Sequence, residues 1–332
     1  MTGGSVLTGI YGVAVALAVQ SGAAPAAAQK PSARPQTEKQ APAPRFRSSV
    51  DVVSIAAVVR DRKGRFVKHL SRKDFEIIEG GVRRPILDFR AEPDTPVKLG
   101  VLIDVSGSMR VGKRTADAKA AAKHVFAGLS GSDQAAVFTF DTVLTQAQAF
   151  TSNRKALDSA LDTAEQPFGQ TSLYDAIAQT SRTVAAASSG RRGVPHRSAV
   201  IVITDGIDTR SRMSPSEVSI VASGMDVPVY IITVVATVDD PRENPEDHRA
   251  IAVASDLEEL ARRTGGDLYI SSSPAQASMA ARELVSELRH QYVLAFEASS
   301  RAGWRPLEVR TRQASLVVRA RTGYSGGGGP SS

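Results

Sequence analysis

The sequence predicts an α/β protein with a doubly wound, mostly parallel central sheet and a small β module built from the two flanks of that sheet. Short, continuously apolar strands recur in the middle of the chain, as in a parallel sheet that is buried on both faces. Segments with helical spacing of apolar residues alternate with these strands, which favours right-handed strand–helix–strand units. The stretches on either side are instead rich in short, hairpin-like strands.

The composition is that of a folded chain with one large domain and appendages, or with two domains. The 332 residues are 42% hydrophobic and 23% charged, close to the average for soluble globular proteins. The formal net charge is +7, but the basic residues are scattered, few aromatic residues lie among them and no nucleic-acid-binding motif is present, so we expect no nucleic-acid partner. The absence of cysteine excludes disulfides, thiolate metal ligands and cysteine nucleophiles.

The first 29 residues resemble a secretory signal peptide. They carry no charged side chain, and an apolar run from Val6 to Val19 leads to Ala26-Ala27-Ala28, an A-x-A-like cleavage site. The run is shorter than the roughly 20 residues of a membrane-spanning helix, but the usual basic residues before it are missing. We therefore expect an exported protein (periplasmic, cell-surface or extracellular) in which residues 1–29 are a cleaved signal or an uncleaved membrane tether. Residues 30–48, rich in Pro, Gln and Lys, are predicted to be a flexible linker.

Residues 49–92 are predicted to form a β-strand segment. The apolar, β-branched stretch Val50–Val59 is followed by a polar turn and a short return strand at Phe66-Val67. Two further strands are predicted at Phe75–Glu79 and Arg84–Phe89, joined by Gly80-Gly81. Several strands in so short a segment indicate a small β module.

The central domain is predicted at residues 93–287, where strands and helices alternate. The predicted strands are Leu99–Ile103, Ala135–Phe140, Ala199–Ile203, Val227–Val235 and the edge strand Leu268–Ile270. The predicted helices are Lys113–Leu129, Asn153–Glu165, Ser172–Ala187, Pro215–Met225, Leu257–Thr264 and Ala275–His290. Residues 239–248 form an acidic, Pro-containing insertion, predicted to be a surface loop that could border the ligand-binding edge of the sheet.

Residues 288–324 return to hairpin-like strands, at Tyr292–Phe296, Leu307–Arg310 and Leu316–Arg319. We expect this segment to pack with residues 49–92 in one sandwich, because each segment alone is too small to bury a core. The Gly-rich residues 325–332 are predicted to be a disordered tail.

Polar residues follow the buried strands at the edge where open α/β sheets bind ligands. Asp104, Ser106 and Ser108 form an Asp-x-Ser-Gly-Ser motif after the first central strand, Asp205 lies in a Thr-Asp-Gly motif after another, and Thr171 lies in a Gly-x-Thr loop between them. Together these motifs resemble the metal-ion-dependent adhesion site of von Willebrand factor type A domains. The resemblance covers about residues 96–290, and it is specific because all five family positions are filled, in order and at strand ends.

The five side chains offer only oxygen atoms, which suits a hard cation: Mg²⁺ foremost, with Mn²⁺ or Ca²⁺ as alternatives. The resemblance implies that the three hydroxyl groups bind the ion directly, that Asp104 and Asp205 act through bound water, and that one position stays open. It further implies a protein partner that fills this position with an Asp or Glu carboxylate, and a protein that is not an enzyme. Asp208 either adds negative charge near the ion or belongs to the next turn.

A second resemblance spans nearly the whole chain after the N-terminal segment. Residues 74–89, the stretches Leu173–Ile177 and Thr264–Gly266, Gln291-Tyr292, and the closing Val318–Tyr324 are similar to a VWFA-related family described from Acidobacteria. The biological role of that family is undefined, so the similarity does not identify the partner.

Two other functions compete with the adhesion-type interpretation. In the first, the ion only stabilises the loops; an exposed open position on the ion would distinguish the two. In the second, Asp104 is the nucleophile of a haloacid dehalogenase-like phosphatase, but Ser106 stands where that family needs a second acidic residue, and no clear Lys or paired acidic motif follows. Each motif alone could be an ordinary helix cap or turn.

Overall fold

The computed structural model describes residues 52–91, 95–164, 169–188 and 197–326. The strands are β1 (Val52–Arg60), β2 (Phe75–Glu79), β3 (Val82–Arg84), β4 (Ile86–Arg90), β5 (Val97–Asp104), β6 (Gln134–Phe140), β7 (Leu144–Thr151), β8 (Arg197–Thr204), β9 (Val229–Val234), β10 (Leu268–Ser271), β11 (Tyr292–Glu297), β12 (Gly303–Thr311), β13 (Val317–Ala320) and β14 (Gly323–Gly326). The helices are α1 (Arg114–Ala127), α2 (Arg154–Thr163), α3 (Leu173–Ser188), α4 (Pro215–Gly224), α5 (His248–Thr264) and α6 (Pro274–Arg289). The predicted signal peptide and linker lie outside the described residues, and none of the described helices has the length and apolarity to cross a membrane.

The central sheet has the strand order β10-β9-β8-β5-β6-β7. All neighbours are parallel except β6 and β7, which are antiparallel. Helices α1, α2 and α6 pack on one face and α3, α4 and α5 on the other. The central strand β5 is continuously apolar because helices cover both faces of the sheet. Leu99, Val101 and Ile103 face the first layer of helices, while Leu102 faces the second. The predicted fold class is therefore confirmed.

Two elements of the central domain differ from the prediction. Strand β7 was not predicted, because its Thr, Gln and Ala residues lie at an exposed sheet edge and show no apolar pattern. Helix α5 begins at His248 rather than at Leu257, because the Asp247 carboxylate caps it by accepting hydrogen bonds from the amides of Arg249 and Ala250, both at 3.0 Å. The acidic loop is accordingly shorter than the predicted 239–248.

The two flanks of the chain form one β module of two four-stranded sheets, ordered β13-β1-β11-β4 and β14-β12-β2-β3. In each sheet a strand from the N-terminal flank pairs antiparallel with one from the C-terminal flank, β1 with β11 and β2 with β12. Their inner faces share a core that includes Ile55, Ile77, Leu294 and Phe296. The pairing supplies the apolar area that neither flank has alone.

The strand boundaries observed in the β module differ from the sequence prediction in three places. The single predicted strand Arg84–Phe89 is two strands, β3 and β4, which lie in different sheets, because Pro85 between them has no N–H to continue the ladder. The predicted return strand at Phe66-Val67 is reduced to one bridge between Arg60 and Phe66. At the C-terminal end, β14 pairs with β12 as far as Gly326, two residues into the predicted tail.

A buried carboxylate in α6 ties the β module to the central domain. Glu287 is fully buried and accepts a hydrogen bond at 3.0 Å from Arg60 of β1, and it also forms an ion pair with Arg319 of β13. Arg321 adds a second link by donating to the carbonyl groups of Ser223, at the end of α4, and of Ser54 in β1. The module is therefore held against the central domain by charge-assisted hydrogen bonds.

Glu79 forms a charged cluster inside the β module. Its carboxylate accepts hydrogen bonds from Arg84 at 2.7 Å, from Arg305 at 3.1 Å and from the Tyr324 hydroxyl. Burial alone would raise the pKa of Glu79, but these hydrogen bonds outweigh it and lower the pKa to about 2. The ionised form of Glu79 is thus stabilised in the folded protein.

We expect Glu79→Gln to lower the free energy of unfolding at pH 7 by about 3 kcal/mol, the stabilisation that corresponds to the lowered pKa. In the unfolded chain Glu79 titrates near its ordinary value of 4.5. Its contribution is therefore complete above that pH and is lost as the pH falls through about 2. Denaturant unfolding between pH 7 and pH 3 should show the difference between variant and wild type shrinking as the pH is lowered.

Glu76→Gln in the same strand is the matched control. Glu76 pairs with the exposed side chains of Arg83 and Arg312, so its loss should cost less than about 1 kcal/mol. Equal destabilisation by the two substitutions would contradict a special role of the Glu79 cluster.

Candidate metal centre

Asp104 ends the central strand β5 and is fully buried. One carboxylate oxygen accepts a hydrogen bond from the Ser106 amide at 2.9 Å, and the other accepts from the Thr204 hydroxyl at 2.6 Å. Burial raises the pKa of Asp104 to about 6, against the hydrogen bonds from Ser106 and Thr204, and the charge of Asp205 adds to the increase. Because burying a carboxylate without a countercharge is costly, a cation beside Asp104 would stabilise its ionised form.

Ser106 and Ser108 present two hydroxyl groups next to Asp104. Ser106 directly precedes a short 3₁₀ turn, Gly107–Arg110, yet its side chain makes no capping hydrogen bond to that turn. The two Oγ atoms lie 3.1 Å apart. Neighbouring ligands of an octahedral Mg²⁺ ion, each roughly 2.1 Å from the metal, are about 3.0 Å apart. The hydroxyl pair therefore has the spacing of two adjacent ligands of one ion.

Backbone hydrogen bonds bring the loop of Thr171 to the same place. Its amide donates to the Thr209 hydroxyl at 2.9 Å, and its carbonyl accepts from the amides of Thr209 and Arg210 at 3.0 and 2.9 Å. On the other side, the Gly107 amide donates to the Gly169 carbonyl at 3.3 Å. The loop of Thr171 thus lies between the two other motifs, with the Thr171 side chain buried.

Asp205 lies at the end of β8 and is paired with a cation that the sequence did not predict. One oxygen accepts from the Ile207 amide at 3.2 Å, and the other from the guanidinium of Arg114 at 3.1 Å. The same guanidinium donates to Asp239 at 2.7 Å. Arg114 therefore links Asp205 to Asp239, the first residue of the predicted acidic loop. This loop borders the same edge of the sheet.

Two neighbouring side chains have structural roles. Thr204 was part of the predicted Thr-Asp-Gly motif but not of the predicted ligand set; its hydroxyl donates to Asp104 and accepts from the Gly206 amide at 3.0 Å. Asp208 belongs to the following turn, since one of its oxygens accepts from the Leu173 amide at 2.9 Å and from the Ser211 hydroxyl at 2.6 Å. These bonds hold the loops that carry the predicted ligands.

The arrangement fits a hard divalent cation. The described residues contain no cluster of three or more His, Asp or Glu side chains placed to hold a metal, so an ion at this edge needs the hydroxyl oxygens. Hydroxyl ligands together with two carboxylates are a donor set for Mg²⁺, Mn²⁺ or Ca²⁺ rather than for Zn²⁺. The Ser106–Ser108 spacing and the buried Asp104 are the observations that fit such an ion.

Comparisons with known proteins identify the central domain. Residues 99–207, about a third of the chain, match the family model of the von Willebrand factor type A domain. The chain therefore carries a von Willebrand factor type A domain, as its motifs predicted. The similarity to the family described from Acidobacteria stays a prediction.

Several solved structures are similar to the chain at low identity. A conserved hypothetical protein, BatB, from Bacteroides thetaiotaomicron has 17% identity and a TM-score of 0.45, over 58% of this chain and 98% of its own. An aerotolerance-related membrane protein from Bacteroides fragilis has 19% identity and the same TM-score, over 58% and 98%. Proximal thread matrix protein 1 of the mussel byssus has 16% identity and a TM-score of 0.46, over 59% and 49%. No curated protein matches the chain.

Proposed function

We propose that the chain is an exported, non-enzymatic binding protein whose von Willebrand factor type A domain holds a divalent cation, Mg²⁺ foremost, and grips an Asp or Glu carboxylate of a protein partner. Domains of this family commonly mediate protein–protein interactions. Ser106, Ser108 and Thr171 would bind the ion, with Asp104 and Asp205 holding its bound water. The observation that carries the proposal is the 3.1 Å pair of serine hydroxyls beside the buried carboxylate of Asp104.

The surface around these residues supports an acidic partner. Ser108 is half-buried and next to exposed Arg110, and the exposed side chain of Arg210 follows the Asp205 motif. Positive charges on the rim of a binding face attract negatively charged partners and raise the rate of association.

The position of Asp104 argues against a phosphatase. A nucleophilic carboxylate must reach the phosphorus atom, but Asp104 is fully buried and both of its oxygens accept hydrogen bonds from the protein. The half-buried state of Ser108 favours an ion that a partner can reach over a purely stabilising ion. Export rests on residues 1–29 of the sequence alone.

Calorimetric titration of Mg²⁺, Mn²⁺ and Ca²⁺ into the metal-stripped chain tests the proposal. We expect saturable binding of one ion per chain, and tighter apparent binding when a carboxylate such as acetate or an Asp-containing peptide is present, because the carboxylate completes the coordination sphere. Ion binding that no carboxylate affects would favour a purely structural ion. An absence of ion binding under both conditions would contradict the proposal.

Arg114→Gln should tighten Mg²⁺ binding about tenfold, because it removes a positive charge that contacts Asp205 and repels a dication there. Asp205 keeps its hydrogen bond from the Ile207 amide, so its orientation does not depend on Arg114 alone. The measurement is the same titration, with Lys155→Gln, an exposed residue of α2, as the control for loss of one charge. Weaker binding by the Arg114 variant would show instead that the guanidinium positions Asp205.

A further inference from the structure

A cavity of about 190 Å³ lies next to the candidate metal centre. It lies between α5 and the carboxyl ends of β9 and β10, and it shares two wall residues, Arg114 and Asp205, with the metal centre. Asp205 would therefore border both the cavity and the proposed ion. A partner bound at the ion would have this cavity directly beside it.

The charged groups at the cavity mouth are mostly paired within the protein. Arg114 contacts both Asp205 and Asp239, and Asp247 caps α5. The wall also includes the exposed Arg249 and the buried Thr233, and its other residues are apolar. The apolar part of the cavity wall includes Ile207, Val235, Val253, Ala254, Leu257 and Ile270.

The size of the cavity selects the kind of occupant. A protein cavity of about 150 Å³ lined by aliphatic and aromatic side chains is known to bind benzene, so the present cavity has room for an aliphatic side chain of the size of Leu or Ile. Adjacent residues of an extended chain are about 3.3–3.6 Å apart along its length. A residue next to the metal-bound acid could therefore reach past Asp205 into the cavity.

We propose that this cavity is a second subsite of the metal face, which accepts an aliphatic side chain next to the partner's Asp or Glu. The inference rests on the proposed function and narrows the partner to segments in which an acidic residue is followed or preceded by an aliphatic one. The carboxylate provides the contact with the ion, and the aliphatic group provides affinity and selectivity through the apolar walls.

Two small carboxylates test the subsite without knowledge of the partner. Acetate and 4-methylpentanoate have the same charge, but only the second carries a branched aliphatic group. In the Mg²⁺-loaded chain, we expect 4-methylpentanoate to bind at least tenfold more tightly than acetate, since each buried methylene group is worth roughly fourfold in affinity. Binding is followed by NMR chemical-shift titration, after calorimetry has measured Mg²⁺ binding alone.

Two Ala→Leu substitutions in α5 locate the effect. Ala254 lines the cavity, whereas Ala252 is exposed and outside the lining. Ala254→Leu should remove the preference for 4-methylpentanoate and keep the affinities for Mg²⁺ and acetate, while Ala252→Leu should keep all three. Equal affinities for the two carboxylates in the wild-type chain, or a preference that persists in Ala254→Leu, would overturn the subsite alone. An absence of Mg²⁺ binding in the wild-type chain would overturn the proposed function and the subsite with it.

Discussion

Asp104→Ala is expected to weaken Mg²⁺ binding by at least about 100-fold while the chain stays folded. Asp104 would hold water on the ion, and loss of residues that support a metal commonly costs 10- to 100-fold in affinity; here a full negative charge is also lost. The fold should survive, because burial already makes the ionised form of Asp104 unfavourable in the absence of a cation. Thr171→Ala removes a predicted direct ligand and should have an effect of similar size.

Calorimetric titration measures the loss, and circular dichroism and denaturant unfolding check the fold. Asp162→Ala and Thr183→Ala are matched controls, since they remove an exposed carboxylate on α2 and the hydroxyl of a half-buried residue on α3 without touching the metal centre. Global unfolding of both test variants would assign the ion a structural role. Unchanged Mg²⁺ affinity would show that the ion binds elsewhere.

Gly266→Ala is expected to lower the free energy of unfolding by about 2–4 kcal/mol. A Cβ at this buried position would lie 2.0 Å from the carbonyl oxygen of Val229 and 2.5 Å from its carbonyl carbon. Neither side can move easily, since Val229 pairs with β8 and its amide donates at 3.0 Å to the Thr264 hydroxyl at the end of α5. The clash is with backbone, so no change of rotamer relieves it.

Gly224→Ala is the control for this substitution. Gly224 is the last residue of α4, and a Cβ there would meet no atom within 4 Å. Alanine in place of a helical glycine stabilises by roughly 0.5–1 kcal/mol, so the two variants should shift the midpoint of denaturant unfolding in opposite directions. A Gly266 variant as stable as the wild type would mean that α5 and β9 separate more freely than their hydrogen bonds indicate.

The candidate site could be predicted where its residues lie close in sequence to strand ends. Asp104 and Asp205 each follow a continuously apolar strand, and the carboxyl ends of parallel strands meet at one edge of a sheet. Thr171 does not follow a strand; its Gly-x-Thr motif, in a loop that opens a helix, identified it through the family resemblance. The sequence did not predict Arg114, which reaches Asp205 from 91 positions away, because nothing in its local pattern distinguishes it from other basic residues.

The fold was predictable to a similar extent. Periodicity identified most of the described helices and strands, because apolar side chains must face a core, but it missed β7, β14 and the first turns of α5. No residue of strand β7 is fully buried and half of them are exposed, and the start of α5 is set by one capping side chain, Asp247. Pro85 was visible in the sequence, yet only the sheet pairing shows that it separates two strands of different sheets.

The sequence by itself determined the fold class, the pairing of the two flanks and the positions of the predicted ligands, because each depends on apolar periodicity or on residues adjacent to a strand end. The tertiary structure alone decided which distant side chains meet: Arg114 with Asp205 and Asp239, Glu287 with Arg60 and Arg319, and the apolar walls of the cavity beside the metal centre. The physical reason is that such contacts depend on how whole helices and strands pack, and no short segment of sequence encodes that geometry.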